Sequence, residues 1–422
     1  MSPEERMTIE EQRKYLHKMR IRYWQAESRR ARSKLLDEMQ AVTELHRKSL
    51  LRLIHGELAR KPRRKQRGKT YGAEVWIAVQ GIARSLDYPC AERLQPTLVW
   101  MAEHLEKHGE LQTSAKTRQQ LAQVSLSTLR RLLGPVGEEP QRLAHRKERP
   151  GTTKALLQGV PMRRIAWDEA QPGHFEVDLV HHSGVSVAGQ YVHTLQLIDV
   201  ATGWSECAAL LGRSYLVLED GFAAILQRLP FPVLELHPDN GAEFFNAFLV
   251  KYWKDKVKGL LLSRSRPFQK NDNRFVEENN FSLVRAYVGY QRLDTVAQTR
   301  LLQQLYQQLW LYHNFFQPVM RLKEKVYPEG QTRPRRHYDR AQTPLDRLVE
   351  KGALEAGRQA HLLALRESTN PCQLRRTIEQ LTTQLFQLPG AKEGITEDVY
   401  QTLGLWKSGD CPSNQTPPSP DS

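Results

Sequence analysis

The sequence predicts a multidomain chain: a helical N-terminal region with two helix-turn-helix units, an α/β core on a mixed sheet, and a basic, helical C-terminal region. Three observations predict it. At 422 residues the chain exceeds what one hydrophobic core usually organises. Hydrophobic periodicity is helical up to about residue 136 and turns strand-like after residue 173. The formal net charge is +15, and residues 1–72 hold 20 Lys or Arg against 9 Asp or Glu, so the first sixth of the chain is strongly basic.

That charge, concentrated at the N-terminal end, points to a polyanionic partner, nucleic acid, over an anionic membrane surface. Cys90, Cys207, Cys372 and Cys411 are scattered, with neither a paired spacing nor histidines at zinc-ligand spacing, so the sequence supports neither a disulfide frame nor a structural zinc site. The first 24 residues lack an apolar leader core, and no apolar run approaches a membrane span. A soluble protein of the reducing cytoplasm, associated with the nucleoid, is expected.

Residues 1–58 form the first helical region. In RSKLLDEMQAVTELHRKSLLRLI, Leu35, Leu36 and Met39 make one apolar face, Thr43 is placed to cap a new helix, and Leu45, Leu50, Leu51 and Ile54 resume the face. The second helix would carry Arg47, Lys48 and Arg52 outward, as a recognition helix in a major groove does. A basic helical hairpin packed on its neighbour is the competing reading. Residues 59–72 are a basic linker in which Arg63, Arg64, Lys65 and Arg67 would track DNA phosphates.

Residues 73–136 form a second helical region with a sharper pattern. TRQQLAQ turns at Val124, Ser125 caps the next helix, and Leu121, Ala122, Leu126, Leu129, Leu132 and Leu133 supply the buried side, leaving Thr128, Arg130 and Arg131 to face DNA. Residues 137–170 read as another linker. Residues 171–318 are the core: three hairpin-linked strands in HFEVDLV, YVHTLQLIDV and WSECAALL, followed by alternating helices and short strands. Residues 319–408 read as helical pieces with a basic loop at RPRRHYDR, and residues 409–422 as a disordered tail.

Three acids of the core stand where a phosphodiester-cutting site needs oxygen ligands. Asp178 lies mid-strand on the face shared with Glu176 and Val180, where a carboxylate is costly without a partner. Asp239 follows the apolar strand VLEL at the sheet's C-terminal edge, although D-N-G alone reads as a turn. Glu277 sits one turn into a helix beside Glu278; neighbouring helical positions point about 100° apart, so only one of them faces the site. Val276 and Asn280 favour Glu277, with Glu278 in reserve. Hard cations such as Mg²⁺ take such ligands.

FEVDLV, HPDNGAEF, SRPFQKNDNRFVEENN and WLYHNFFQP together resemble the DDE transposases of bacterial insertion sequences, within the retroviral integrase catalytic-core superfamily. The resemblance runs from about residue 173 to residue 318. It implies a ribonuclease H-like core in which Asp178, Asp239 and Glu277 hold two Mg²⁺ (or Mn²⁺) ions. It also implies one site that first frees a 3′-OH at an element's end and then joins it to target DNA, with the chain acting as a homo-oligomer on DNA. The gap of 38 positions between the second and third acids is slightly longer than the superfamily's common spacing. Around the ligands, Asn240 and Glu243 are placed to orient Asp239, Lys270, Asn271 and Asn273 to touch the scissile strand, and Arg264 and Arg266 to contact phosphates. Two competing readings are an inactive, transposase-derived regulator and a nuclease of the same fold that only hydrolyses.

Overall fold

The computed structural model describes residues 7–56, 58, 71–134, 160–166, 168–239, 244, 247–266, 272–328, 334–392 and 397–405. Two compact units divide the chain, residues 1–70 and residues 71–422. Arg63, Arg64, Lys65, Arg67, Asn240, Glu243, Lys270 and Asn271 lie outside the described residues, as do most of the expected linkers and the tail.

The first unit is a trio of helices, α1 (Ile9–Gln25), α2 (Arg29–Thr43) and α3 (Arg47–His55). A capping box of Thr8 and Glu11 starts α1, and Leu16, Met19, Leu36, Met39, Leu50 and Ile54 close a core belonging to this unit alone. The turn from α2 to α3 passes through Glu44 with φ 56°, and His46 caps α3 by accepting the Lys48 N–H. This corrects the expectation for Thr43. That residue ends α2, buried, and its Oγ1 donates to the Met39 carbonyl at 2.6 Å, the back-bond open to a threonine late in a helix.

The second unit opens with α4 (Ala73–Ser85), α5 (Ala91–Leu94), α6 (Leu98–Lys107), α7 (Ala115–Gln123) and α8 (Leu126–Leu133). Ser125 caps α8 as its position predicts, its Oγ accepting the Thr128 N–H at 3.3 Å. Leu121, Val124 and Leu129 are buried, but Ala122 is exposed; Val124 in the turn takes the inward place expected for it.

A five-stranded sheet follows, β1 (His174–His181), β2 (Val192–Asp199), β3 (Ser205–Leu211), β4 (Glu235–Pro238) and β5 (Leu261–Leu262). Its order is β3-β2-β1-β4-β5; the first three strands are antiparallel, and β4 and β5 run parallel to β1. This mixed sheet with helical flanks is consistent with a ribonuclease H-like core. Helices α9 (Tyr215–Arg228) and α10 (Ala247–Lys256) pack together through Phe222 and Trp253. The face carrying Leu195 and Leu210 receives α9 at Gly221, where a Cβ would stand 2.7 Å from Leu210.

Covering the opposite face are α11 (Arg274–Asn279), a π-helical stretch at Asn280–Arg285, α12 (Ala286–Val288) and the long α13 (Val296–Leu311). Tyr306 of α13 meets Thr194 of β2, and Gln303 accepts the Ala209 N–H at 2.9 Å. Tyr312 reaches back to the Ser85 carbonyl at 2.9 Å and Gln317 to that of Leu86 at 2.9 Å, so α4–α8 share a core with the sheet.

Beyond residue 318 the expectation of helical pieces fails for one segment. Two strands, β6 (Leu322–Val326) and β7 (Arg335–Tyr338), form an antiparallel hairpin, so half of the basic stretch read as a loop, RPRRHYDR, is a strand. Its residues are largely exposed, which removes the apolar alternation by which a half-buried strand is recognised. Helices α14 (Pro344–Glu350), α15 (Ala356–Ser368) and α16 (Pro371–Gln387) complete the described fold. Among the described residues no helix is long and apolar enough to cross a membrane.

Candidate active site

Strand alternation places His174, Glu176 and Asp178 on one face of β1, and the parallel pairing His174↔Glu235, Glu176↔His237 puts Glu235 and His237 on the same face of β4. Val177↔Pro238 is the last paired position, so Asp178 and Asp239 are the next residue along each of two adjacent parallel strands. The first and second acids, 61 residues apart in the chain, therefore meet at one level of the sheet.

Glu176 attaches the helix of the third acid to this face. Its Oε2 accepts the N–H groups of Phe275 at 2.7 Å and Val276 at 3.0 Å, the first turn of α11. Burial pushes the Glu176 carboxyl up to about 7, against the opposing pull of those N–H groups, Arg274 and Arg321. Its Oε1 is buried without a hydrogen-bond partner among the described residues. Asn273, expected to touch DNA, is instead buried at the start of α11, where its carbonyl accepts the Glu277 N–H and its Oδ1 accepts from Ser265 at 3.0 Å.

One turn further, the Asn280 side chain donates to Asp178 Oδ2, and Asp178 Oδ1 accepts the Leu179 N–H at 2.8 Å. This orients the choice between the two glutamates. With about 100° per residue, Glu277 lies about 60° round the helix from Asn280 and Glu278 about 160°, so the Asp178 side of α11 is that of Glu277. Asn279 donates to Ser205 of β3 at 2.8 Å, and Glu278 is exposed.

The donor chemistry suits a hard divalent cation. Beside the Asp178 carboxylate the Asn280 Oδ1 is buried and without a partner among the described residues, and both amide atoms of Gln196, the cross-strand neighbour of Asp178, are likewise. Asp239 and Glu277 are exposed at the rim. Among the described residues no three His, Cys, Asp or Glu side chains already close around one point.

A second polar chain braces β4 against β5. His174 meets Glu235 at 2.8 Å, Ser263 bridges Glu235 and His237, and Arg163 stands 3.2 Å from Glu235. Burial lowers His237 to about 4, which keeps it neutral at physiological pH.

Several expected DNA contacts have internal partners. Arg266 holds Asp272 through two guanidinium bonds of 2.9 and 2.8 Å. Arg264 is largely buried, its backbone pairing with Pro161 and Arg163 and its Nε donating to Val160 O at 3.2 Å. Arg47 bonds Asp37 and Ser33, Arg130 bonds Glu92, and Arg131 bonds Thr128 at 3.1 Å. Lys48 and Arg52, four apart on α3, are exposed together.

Glu176 was the residue that sequence reasoning passed over. The signal was present: an acid two positions before Asp178 on the same strand face needs a partner when buried. Glu176→Ala leaves two buried N–H groups unmet and should cost about 1–3 kcal/mol; Glu176→Gln keeps an acceptor and should cost less. Equal denaturant midpoints for wild type and Glu176→Ala would contradict this coupling.

No protein-family model matches the chain. It is 34% identical over 307 residues, covering 72% of this chain and 87% of the relative, to a protein of Sinorhizobium fredii (strain NBRC 101917 / NGR234) described as uncharacterized protein y4rM. Among solved structures, the catalytic core domain of BIV integrase in crystal form I superposes over 43% of this chain and 95% of its own length, with 17% identity and a TM-score of 0.27, a likeness too loose to argue from.

Proposed function

This chain belongs to the family of the Sinorhizobium protein y4rM, and we propose that it is a DDE-type transposase, a metal-dependent enzyme that cuts the ends of a mobile DNA element and joins them to target DNA. The observation that carries the reading is that Asp178 and Asp239 come one step past Val177↔Pro238 on adjacent parallel strands, with Asn280 of the following helical stretch bonded to Asp178, which supports Glu277, about 60° round the helix from Asn280, as the third acid.

In this reading Asp178, Asp239 and Glu277 would hold two Mg²⁺ or Mn²⁺ ions, which when bound supply charge stabilisation for in-line displacement at phosphorus. Asn280 orients the Asp178 carboxylate, and Glu176 fixes α11 so that Glu277 stays on its side of the helix. Water forms the new P–O bond in the first reaction and the element's 3′-oxygen leaves with a proton. That 3′-hydroxyl then attacks a target phosphodiester, losing its proton as the target's own 3′-oxygen leaves. Retention of all three acids weighs against an inactive regulator.

The helix pair α2–α3, with Lys48 and Arg52 outward, and the pair α7–α8 supply the candidate helix-turn-helix contacts to terminal inverted repeats. The DNA on either side of the reading frame tests the whole reading. Inverted repeats bounded by a short target duplication are expected there, and the full chain should bind them with an affinity that falls steeply with salt. Lys48→Ala with Arg52→Ala should lower the slope of log affinity against log salt by about 2. Flanks without repeats, or binding indifferent to salt, would contradict it.

A further inference from the structure

We propose that the cavity between residues 187–190, the residues preceding α9 and the turn Val399–Thr402 binds the phosphate group of a small phosphate monoester, with Arg213 and His193 recognising it. His193 pairs with His181, three positions past Asp178 on β1, and so stands on the sheet face opposite Asp178, the face that α9 covers. The cavity is therefore separate from the carboxylate site.

Its walls are fixed by the fold itself. Arg292 reaches behind the 183–190 segment and donates to the carbonyls of Ser183 at 3.3 Å, Ser186 at 2.7 Å, Ala188 at 2.8 Å and Gln190 at 3.2 Å, while Asp294 holds it at 2.6 Å. Gly212, at φ 75°, donates its N–H to the Tyr191 carbonyl at 2.9 Å, and a Cβ there would stand 2.8 Å from Gln190 Oε1. The loop is thus locked against the start of α9.

The lining is suited to an anion. In a cavity of about 400 Å³, Arg213, Ser214, Gln190, Tyr400 and His193 supply polar groups, and no Asp or Glu lines it among the described residues. Asp398, next to the turn, is occupied in accepting the Tyr400 N–H at 3.0 Å. Arg213 is exposed and makes no ion pair among the described residues. His193 is 2% exposed, stacked on Tyr191 at 4.6 Å, and neither ring nitrogen has a side-chain partner among the described residues. The Tyr191 backbone approaches the ring, and one backbone group can serve one nitrogen at most. A buried polar atom left in this way is costly until something meets it. Burial, with His181 and Arg213 nearby, lowers His193 to about 3, so the ring is neutral and keeps one N–H to donate. A phosphate dianion takes that N–H and the Arg213 fork together, beside the start of the 14-residue helix α9, whose N-terminal end favours negative charge. Walls on three sides admit a compact terminal phosphate and exclude the broad backbone of a duplex.

Equilibrium dialysis of the full chain against radiolabelled inorganic phosphate, at constant ionic strength and with a chelator present, tests the site. A single phosphate per chain should bind saturably, and Arg213→Gln should weaken it by about tenfold or more, the loss of a charge-assisted hydrogen bond. In protein labelled with ¹⁵N-histidine, the ring signals that vanish in His193→Gln should shift when phosphate is added to the wild type. A short DNA duplex should leave the bound phosphate in place. No saturable binding, equal affinity in Arg213→Gln, or unmoved His193 signals would overturn the site. Displacement by the duplex would assign the cavity to DNA and overturn the small ligand.

Discussion

Asp178→Asn and Asp239→Asn should each abolish DNA end cleavage and joining, by on the order of a thousandfold or more, while duplex binding stays at the wild-type level. The substitutions are nearly isosteric, so packing on β1 and β4 is kept, and each removes one charged oxygen donor from the level at which the strands present them. A thousandfold corresponds to about 4 kcal/mol of transition-state stabilisation, within what charge neutralisation at phosphorus supplies. Glu277→Gln should match them and Glu278→Gln should not, because Asn280 bonds Asp178 and Glu278 lies about 160° round the helix from Asn280, against about 60° for Glu277. Single-turnover cleavage with Mg²⁺ reads all four variants. Activity lost in Glu278→Gln and kept in Glu277→Gln would reverse the assignment of the third acid.

The largest effect on stability is expected at Glu206, on the edge strand β3. Its carboxylate is fully buried and accepts from the indoles of Trp204 and Trp310, each at 2.8 Å, and from Arg228 Nε at 2.6 Å. Arg228 also lies over the Trp310 ring at 5.5 Å. Removing one member of a buried ion pair leaves the other charge uncompensated, so Arg228→Ala should cost about 3–5 kcal/mol. Arg228→Met with Glu206→Leu removes both charges and should recover much of that loss, although the two indole N–H groups would then want an acceptor. Urea unfolding of the second unit measures it, and a midpoint unmoved by Arg228→Ala would show that the pair is not a structural tie.

Much of the core could be read before its structure. The alternation of HFEVDLV named the face that Glu176 and Asp178 share, the apolar VLEL placed Asp239 at a strand's end, and Ser125 marked the start of α8. Each is a local signal, carried by residues within one turn or a few strand positions. What escaped depends on partners far along the chain. Glu176 gains its role only when β1 meets α11, about a hundred residues later. Arg47, Arg130 and Arg266 read as outward cations, and Asp37, Glu92 and Asp272 claim them, because periodicity gives a side chain's direction and not its neighbour. The β6–β7 hairpin escaped for a different reason: with both strands mostly in solvent, it has no buried face to leave a pattern in the sequence.

Cleavage at the element's own ends is the most direct measurement of the central claim. The full chain is incubated with a linear duplex carrying the DNA that flanks its reading frame, and the 3′ ends are mapped by sequencing, with Mg²⁺ and with a chelator. The predicted result is a 3′-OH at a fixed phosphodiester of each repeat, together with products in which that end is joined to other DNA, both lost with the chelator and in Asp178→Asn. Repeat-specific binding with no metal-dependent cutting or joining would contradict the claim that Asp178, Asp239 and Glu277 form a strand-transfer site.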